Sequence, residues 1–218
     1  MQEKIIFFIL IAFNFLFIFQ INKISTWIGL YDLPDKNRKL HKHPVPLLGG
    51  ILIFSLLVVL FLIFTVDAQV FSINFNFSSL EFIKFLFFST LIFALGIVDD
   101  KIQINPNYKL ILFLVLSLLY LNLDETVVIT ELRFTFSETF FNLGYYSIPF
   151  TTLCILLFIN AFNMFDGINL QCGFYSFFIF FIVLTHGNYY LLSFFILVQI
   201  IFFLFLNYKS QIFLGDNG

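Results

Sequence analysis

Two adjacent carboxylates, Asp99 and Asp100, close an apolar run, and Lys109 follows nine residues after the second of them. Mg²⁺ takes oxygen ligands, typically one or two carboxylates together with substrate phosphates. A lysine then offsets the phosphate charge that remains, so this pattern fits a diphosphate–Mg²⁺ site. A solvated helix end is the bland alternative for a bare Asp-Asp pair. Farther along, Asn160, Asn163 and Asp166 recur at every third position. Residues i and i+3 share a helix face, so Asn163 and Asp166 can address one ligand, and Gly167 lets the chain turn beside it. A carboxylate closing a helix meets the unfavourable end of the macrodipole, which calls for a compensating cation or ligand. Helix capping is the competing explanation, but such caps prefer N-termini.

These residues belong to four polar blocks: GLYDLPDKNRKLHKHPVPLLGG at 29–50, DDKIQINPNYK at 99–109, NAFNMFDGIN at 160–169 and IFLGDNG at 212–218. The first carries Lys36, Arg38, Lys39 and Lys42, the histidines His41 and His43, and Pro34, Pro44 and Pro46, and reads as an irregular loop. Its basic residues have a simpler explanation in topology and anionic lipid. A two-histidine metal site would need further ligands. Gly49 and Gly50 permit close approach by a helix or a substrate, or plain packing.

The elements that must position these blocks are apolar. Of 218 residues 61% are hydrophobic and 11% charged, with a mean hydropathy of +1.01, against about 45–50% apolar and about 25% charged in a soluble domain. This excludes soluble enzymes, disordered tails and disulfide scaffolds. Cys154 and Cys172 form no metal-ligand spacing, and the 37 phenylalanines read as compositional bias. A membrane-crossing helix needs about 20 mostly apolar residues. Seven segments qualify or nearly so: 5–22, 47–66, 80–98, 109–123, 147–163, 167–184 and 189–206, the last two divided by Thr185-His186-Gly187-Asn188. The first is read as a retained helix, since no small-residue cleavage site follows it. Between the fourth and fifth, residues 127–130 and 133–136 are β-branched and aromatic and predict a short strand or hairpin outside the cytoplasm. The fold class expected is all-α, a polytopic membrane helical bundle forming a single integral membrane domain over 1–218.

Eight of the eleven Lys and Arg residues fall on one side of such a bundle and three (Lys4, Lys84 and Arg133) on the other. The positive-inside rule puts the larger set in the cytoplasm, with the N-terminus outside and all four polar blocks cytoplasmic. Ionisable residues at membrane boundaries are functional candidates by default. A secondary transporter would hold its acids near the bilayer midplane, whereas these end spans. A non-catalytic scaffold is the other class to weigh.

Together the blocks resemble the polyprenyl-phosphate N-acetylhexosamine-1-phosphate transferases, an integral membrane family. The resemblance runs in order along nearly the whole chain: D-x-P-x-x-R-K-x-H…VP…GG, then DD…K, then N-A-x-N-x-x-D-G, then F-L-G-D-x-G. Asp32, Pro34, Arg38, Lys39, His41, Val45, Pro46, Gly49 and Gly50 look like the common-antigen and teichoic-acid linkage branch rather than the peptidoglycan phospho-MurNAc-pentapeptide translocase. The resemblance implies transfer of a HexNAc-1-phosphate from a UDP-sugar to polyprenyl phosphate, with release of UMP, at the start of cell-envelope polysaccharide synthesis. It implies Mg²⁺ (Mn²⁺ as substitute), with Asp216 as its direct ligand and Asn163 as a second metal residue. It implies Asp99, Asp100, Lys109 and Asp166 as catalytic residues, and Asn163, Asn207, Arg38 and His41 at the substrates. The setting is a multi-pass protein of the bacterial inner membrane with a cytoplasmic active face, no nucleic-acid partner, and a homodimer as one option for assembly.

Three departures stand out. The third motif of the family continues D-G-x-D-G, but here Asn169 replaces the second carboxylate and Leu170 the second glycine. Asn207 sits one residue closer to Asp216 than in relatives. The family also continues beyond the last motif with a serine, further spans and a His- and Arg-rich cytoplasmic loop. The chain therefore resembles the N-terminal two-thirds of such an enzyme, lacking the C-terminal part, and an inactive truncated membrane protein is an alternative.

Overall fold

The computed structural model describes residues 2–34, 43–66, 78–136, 139–165, 167–187 and 189–218. Among them are seven α-helices: α1 (Gln2–Ile28), α2 (Gly49–Val66), α3 (Ser79–Ile102), α4 (Pro106–Leu123), α5 (Ser147–Phe165), α6 (Gln171–His186) and α7 (Tyr190–Tyr208). Each of the seven apolar segments thus becomes one helix. Five are long and apolar enough to cross a membrane, while α2 and α6 carry shorter apolar stretches, Gly49–Ile63 and Gln171–His186. The protein is a helical, multi-pass membrane protein.

Helix ends differ from the hydropathy boundaries in ways that matter for the site. α3 runs past Val98, so Asp99, Asp100 and Lys101 lie in its last turn, and α4 starts at Pro106, which puts Lys109 in its first turn. The block at 99–109 is therefore two helix ends with a short turn between them. Hydropathy stops where charge begins, but a helix continues until its backbone is capped. α3 begins with a capping box: the Ser78 N–H donates to Glu81 Oε2 at 2.7 Å, and the Glu81 N–H to Ser78 Oγ at 3.2 Å. α4 begins with Asn105, whose side chain accepts from the Asn107 N–H, and with Pro106 in the first helical position.

Two small antiparallel sheets accompany the helices. β1 (Tyr31–Asp32) pairs with β2 (Val45–Pro46), in register Tyr31↔Pro46 and Asp32↔Val45. β3 (Glu131–Arg133) pairs with β4 (Phe140–Asn142), with Leu132 opposite Phe141. The hairpin expected between the fourth and fifth spans is present, but its strands are displaced from 127–130 and 133–136. Asp124 caps a 3₁₀ turn over Glu125–Val127 by accepting from the Thr126 N–H and hydroxyl, which removes Val127 from any strand. The Ile129 N–H donates to Thr151 Oγ1 of α5 at 2.9 Å, so that segment is anchored to a helix.

The chain divides into two compact units. One comprises Met1–Phe77, Phe93–Ile102 and Phe165–Gly218, and the other Ser78–Ile92 and Gln103–Met164. In the first, α7 is the central helix, with α6, α2 and α1 packed on it. α1 buries Ile6, Leu10, Asn14 and Phe17, and α2 buries Leu52, Leu56 and Leu60, continuing from Leu48 just before it, each a single stripe at helical spacing. The other faces stay open, as for helices that present Leu and Phe to lipid. Lipid tails are as apolar as leucine, so association rests on close packing and interhelical hydrogen bonds. Both are present. A Cβ at Gly173 of α6 would collide with the Leu204 side chain of α7. Gln199 of α7, fully buried, accepts from Asn14 Nδ2 of α1 at 2.9 Å and donates to the Leu52 carbonyl of α2 at 2.7 Å.

In the second unit Phe88 stacks on Tyr120, with centroids 4.3 Å apart, which joins α3 to α4.

Candidate functional site

The site is assembled by the way α7 ends. The Gln211 N–H bonds to the Leu206 carbonyl and the Ser210 N–H to the Asn207 carbonyl, both at 2.9 Å, with Ser210 at φ +51°. This is a Schellman closure, and it turns residues 212–218 back along the first polar block. The Phe213 N–H donates to the Pro46 carbonyl at 3.0 Å. The Phe213 and Leu214 carbonyls accept the N–H groups of Gly49 and Gly50 at 2.9 and 3.1 Å. Those two N–H groups belong to the first turn of α2 and have no partner inside the helix, so the returning segment caps it.

The same segment reaches the C-terminal end of α3. Asp100 Oδ1 accepts the Asp216 N–H at 2.9 Å, and Asp100 Oδ2 accepts both the Asn217 N–H at 3.1 Å and Asn217 Nδ2 at 2.5 Å. Carboxylates at a helix C-terminus face the negative end of the dipole. Here three donors from the Gly-Asp-Asn-Gly turn offset that cost for Asp100. The fit is tight. A Cβ on Gly96 would overlap the backbone of Asp216 and Asn217, and one on Gly50 would overlap Asn217. Gly215 has φ +75° and touches Asp100, Asn217 and Leu47, so it is glycine for both conformation and space.

The third block joins through Asn207, which is buried. Its Oδ1 accepts the Leu170 N–H at 2.7 Å and its Nδ2 donates to the Ile212 carbonyl at 3.0 Å. Asn169 Nδ2 reaches Ser210 Oγ at 3.2 Å. The segments 29–34 and 43–50, the end of α3, residues 167–170 and residues 207–218 thus belong to one unit, whereas 103–109 of the second block and 160–164 of the third belong to the other.

Among the predicted site residues, the structure bonds Asp100 to the Asp216 N–H, with Asp99 next to Asp100 in α3, and ties Asn207 to Ile212 of the same returning segment. Asp99 is buried at 6% exposure, Asp100 is half-buried and Asp216 is exposed. Lys109, half-buried, and Asn163, exposed, belong to the second unit. Arg38, His41 and Asp166 lie outside the described residues. Asn207 is engaged with main chain through both ends of its amide, which makes it a clasp between blocks. Asn217 was not singled out by sequence reasoning. An amide next to the candidate metal ligand was the only signal for it.

A hard divalent cation is compatible with this set. The side-chain donors are carboxylate and amide oxygens, and Asn217 Oδ1 is buried without a hydrogen-bond partner. Among the described residues no three His, Cys, Asp or Glu side chains form a ready-made metal cluster. Mg²⁺ needs none, because it keeps waters and shares substrate phosphates with one or two carboxylates.

Residues 82–218 match the family model for glycosyl transferase family 4. The chain is 29% identical over 205 residues to a probable undecaprenyl-phosphate N-acetylglucosaminyl 1-phosphate transferase of Bacillus subtilis, covering 91% of this chain and 54% of that protein. It is 26% identical over 161 residues to the undecaprenyl-phosphate alpha-N-acetylglucosaminyl 1-phosphate transferase of Salmonella typhi, covering 74% of this chain and 40% of that one. For the same-named protein of Escherichia coli K12 it is 25% over 162 residues, 72% of this chain and 39% of that one. The chain therefore spans about half the length of the first relative and about two fifths of the others. With the model match covering more than half of its residues, the chain belongs to glycosyl transferase family 4.

Proposed function

We propose that the chain carries the phosphate-handling part of an enzyme that transfers a HexNAc-1-phosphate from a UDP-sugar to polyprenyl phosphate. The observation that carries this reading is the bonding of the 212–218 segment to Asp100 at the end of α3 and to the start of α2, with Asn207 tying residue 170 to the same segment. The names of the relatives support it. An oxygen of the lipid phosphate attacks the β-phosphorus of the donor. The bond from that phosphorus to the bridging oxygen breaks, and UMP leaves with the electron pair, giving a lipid-linked diphosphate sugar. The second pKa of a phosphomonoester is about 6, so the lipid phosphate is largely ionised near neutral pH and needs no strong base.

In phosphoryl transfer a protein mainly positions groups and offsets charge. Asp99 orients the lipid phosphate, with Asp100 beside it. Lys109 offsets phosphate charge, and its place in the first turn of α4, at the positive end of that helix, has a dipole cost that a bound anion would offset. Asn163 and Asp166 address the nucleotide diphosphate, and Arg38 and His41 the substrates. Asp216 would hold Mg²⁺ (or Mn²⁺), which when bound neutralises developing charge on the diphosphate. The donor is a UDP-linked N-acetylated hexosamine or a 6-deoxy relative, and Asn169 in place of a carboxylate leaves one less negative charge by the diphosphate. The reaction takes place at the cytoplasmic face of the bacterial inner membrane and starts a cell-envelope polysaccharide.

The test is a radiolabelled-donor assay on the full-length protein in membranes containing polyprenyl phosphate. Labelled lipid from UDP-GlcNAc or a deoxy analogue, with UMP released, is the expected result. Asp216→Asn, which keeps shape but loses charge, should fall to background at normal expression. Transfer only from the MurNAc-pentapeptide donor would overturn the branch, release of UDP the reaction class, and undiminished turnover by Asp216→Asn its role at the metal.

A further inference from the structure

We propose that Asn217 is a positioning residue for Asp216, acting through Asp100. This rests on the reading of Asp216 as ligand to a divalent cation. Asn217 is 7% exposed, and its donors are all used within the protein: its N–H and its Nδ2 both go to Asp100 Oδ2, and Nδ2 also reaches the Leu47 carbonyl at 3.5 Å. Asp100 Oδ1 in turn holds the Asp216 N–H. Four bonds therefore fix the backbone on both sides of the Asp216 side chain, while that side chain itself is exposed.

The chemistry at Asn217 is specific to an amide. Its Oδ1 is buried against Gly50 with no hydrogen-bond partner. An unsatisfied buried acceptor is destabilising, so an amide here is not the choice that stability alone would make. What offsets that cost is the NH₂ group, which bonds the Asp100 carboxylate as a charge-assisted donor. An aspartate would place a second negative charge against Asp100, and an alanine would leave Oδ2 with one donor fewer. The segment packs directly on both helices, where a Cβ at Gly50 or Gly96 would overlap it.

Partners that orient a metal ligand from behind typically change metal affinity by 10–100-fold when removed. The experiment is Mn²⁺ binding to the full-length protein, followed by the electron paramagnetic resonance of free Mn²⁺, alongside hydrogen exchange of the 212–218 amides. Asn217→Ala and Asn217→Asp should each weaken Mn²⁺ by about tenfold and speed exchange at Asp216, with the rest of the exchange profile unchanged. In the transfer assay the Mg²⁺ concentration for half-activity should rise by the same factor while the KM for the lipid stays put. Asp100→Asn keeps one acceptor and should fall between. Wild-type Mn²⁺ affinity in Asn217→Ala would overturn the positioning role. If Asp216→Asn itself binds Mn²⁺ as wild type does, the metal assignment is at fault, and the role of Asn217 falls with it.

Discussion

Leu170 shows how the backbone keeps a requirement that its side chain no longer advertises. It stands where the family motif has its second glycine, and it adopts φ +72°, in the left-handed region that side chains avoid. The loop has no freedom to relax, because the Leu170 N–H is held by Asn207 and its carbonyl accepts the Phe174 N–H at 2.8 Å to start α6. Comparing Leu170→Gly with Leu170→Ala brings out the backbone term, since both lose the side chain beyond Cβ and differ only in that carbon. The glycine variant should be the more stable of the two by about 1 kcal/mol, read from unfolding midpoints in mild detergent. Equal stabilities would mean that the loop does not hold this conformation. At this scale the sequence was legible where charge stood in an apolar setting, as at Asp99, Asp100 and Asp216. It was opaque where the partner is a backbone N–H, and nothing in the composition marks the Asp216 and Asn217 amides as the groups that engage Asp100.

Among the elements, the three helices α1, α2 and α7 are tied by one buried amide. Gln199 uses both ends of its side chain, whereas Asn14 donates to Gln199 and to the Leu10 carbonyl but leaves its Oδ1 unpaired and buried. Replacing Asn14 by leucine thus removes an unsatisfied acceptor along with a bond, and replacing Gln199 removes only bonds. Gln199→Leu should therefore be the more destabilising. A double-mutant cycle should give a coupling of about 0.6 to 1.7 kcal/mol, from the average to the maximum of such cycles for hydrogen bonds between membrane helices. A coupling of zero would remove the bond from the account. Spans were legible because lipid selects long apolar runs, and all seven emerged as helices, five of them long and apolar enough to cross a membrane. Their ends were not, because capping decides them: Asp99 and Asp100 fell inside α3 and Lys109 inside α4. Strand positions in the β3–β4 hairpin shifted because pairing register, rather than β-branched content, selects which residues form the ladder. Asn14 and Gln199 did carry a signal, since a lone amide inside an apolar span calls for a partner.

Taken whole, the molecule must place its four polar blocks on one side of a bilayer, and this depends on α6. With 16 residues, α6 is about 24 Å long at about 1.5 Å per residue, short of a hydrocarbon core of about 30 Å. Yet the start of α6 and the end of α7 are joined through Leu170 and Asn207, so the two helices leave one level and return to it as an antiparallel pair. Local thinning of the bilayer accommodates a short span at modest cost. On the proposed function, the distribution of Lys and Arg, eight to three, would set which side is cytoplasmic. With Cys154 and Cys172 replaced by serine, single cysteines at positions 74 and 187 should react with an impermeant thiol reagent from outside intact cells. One at position 37 should react only after the cytoplasmic side is opened. Labelling of position 187 from the cytoplasm alone would mean that α6 turns back before the far interface. Labelling of position 74 from the cytoplasm would mean that α2 does not cross. In that case the block at 29–50 and the end of α3 would no longer share a membrane face through paired crossings, and the proposed site would lose its topological basis.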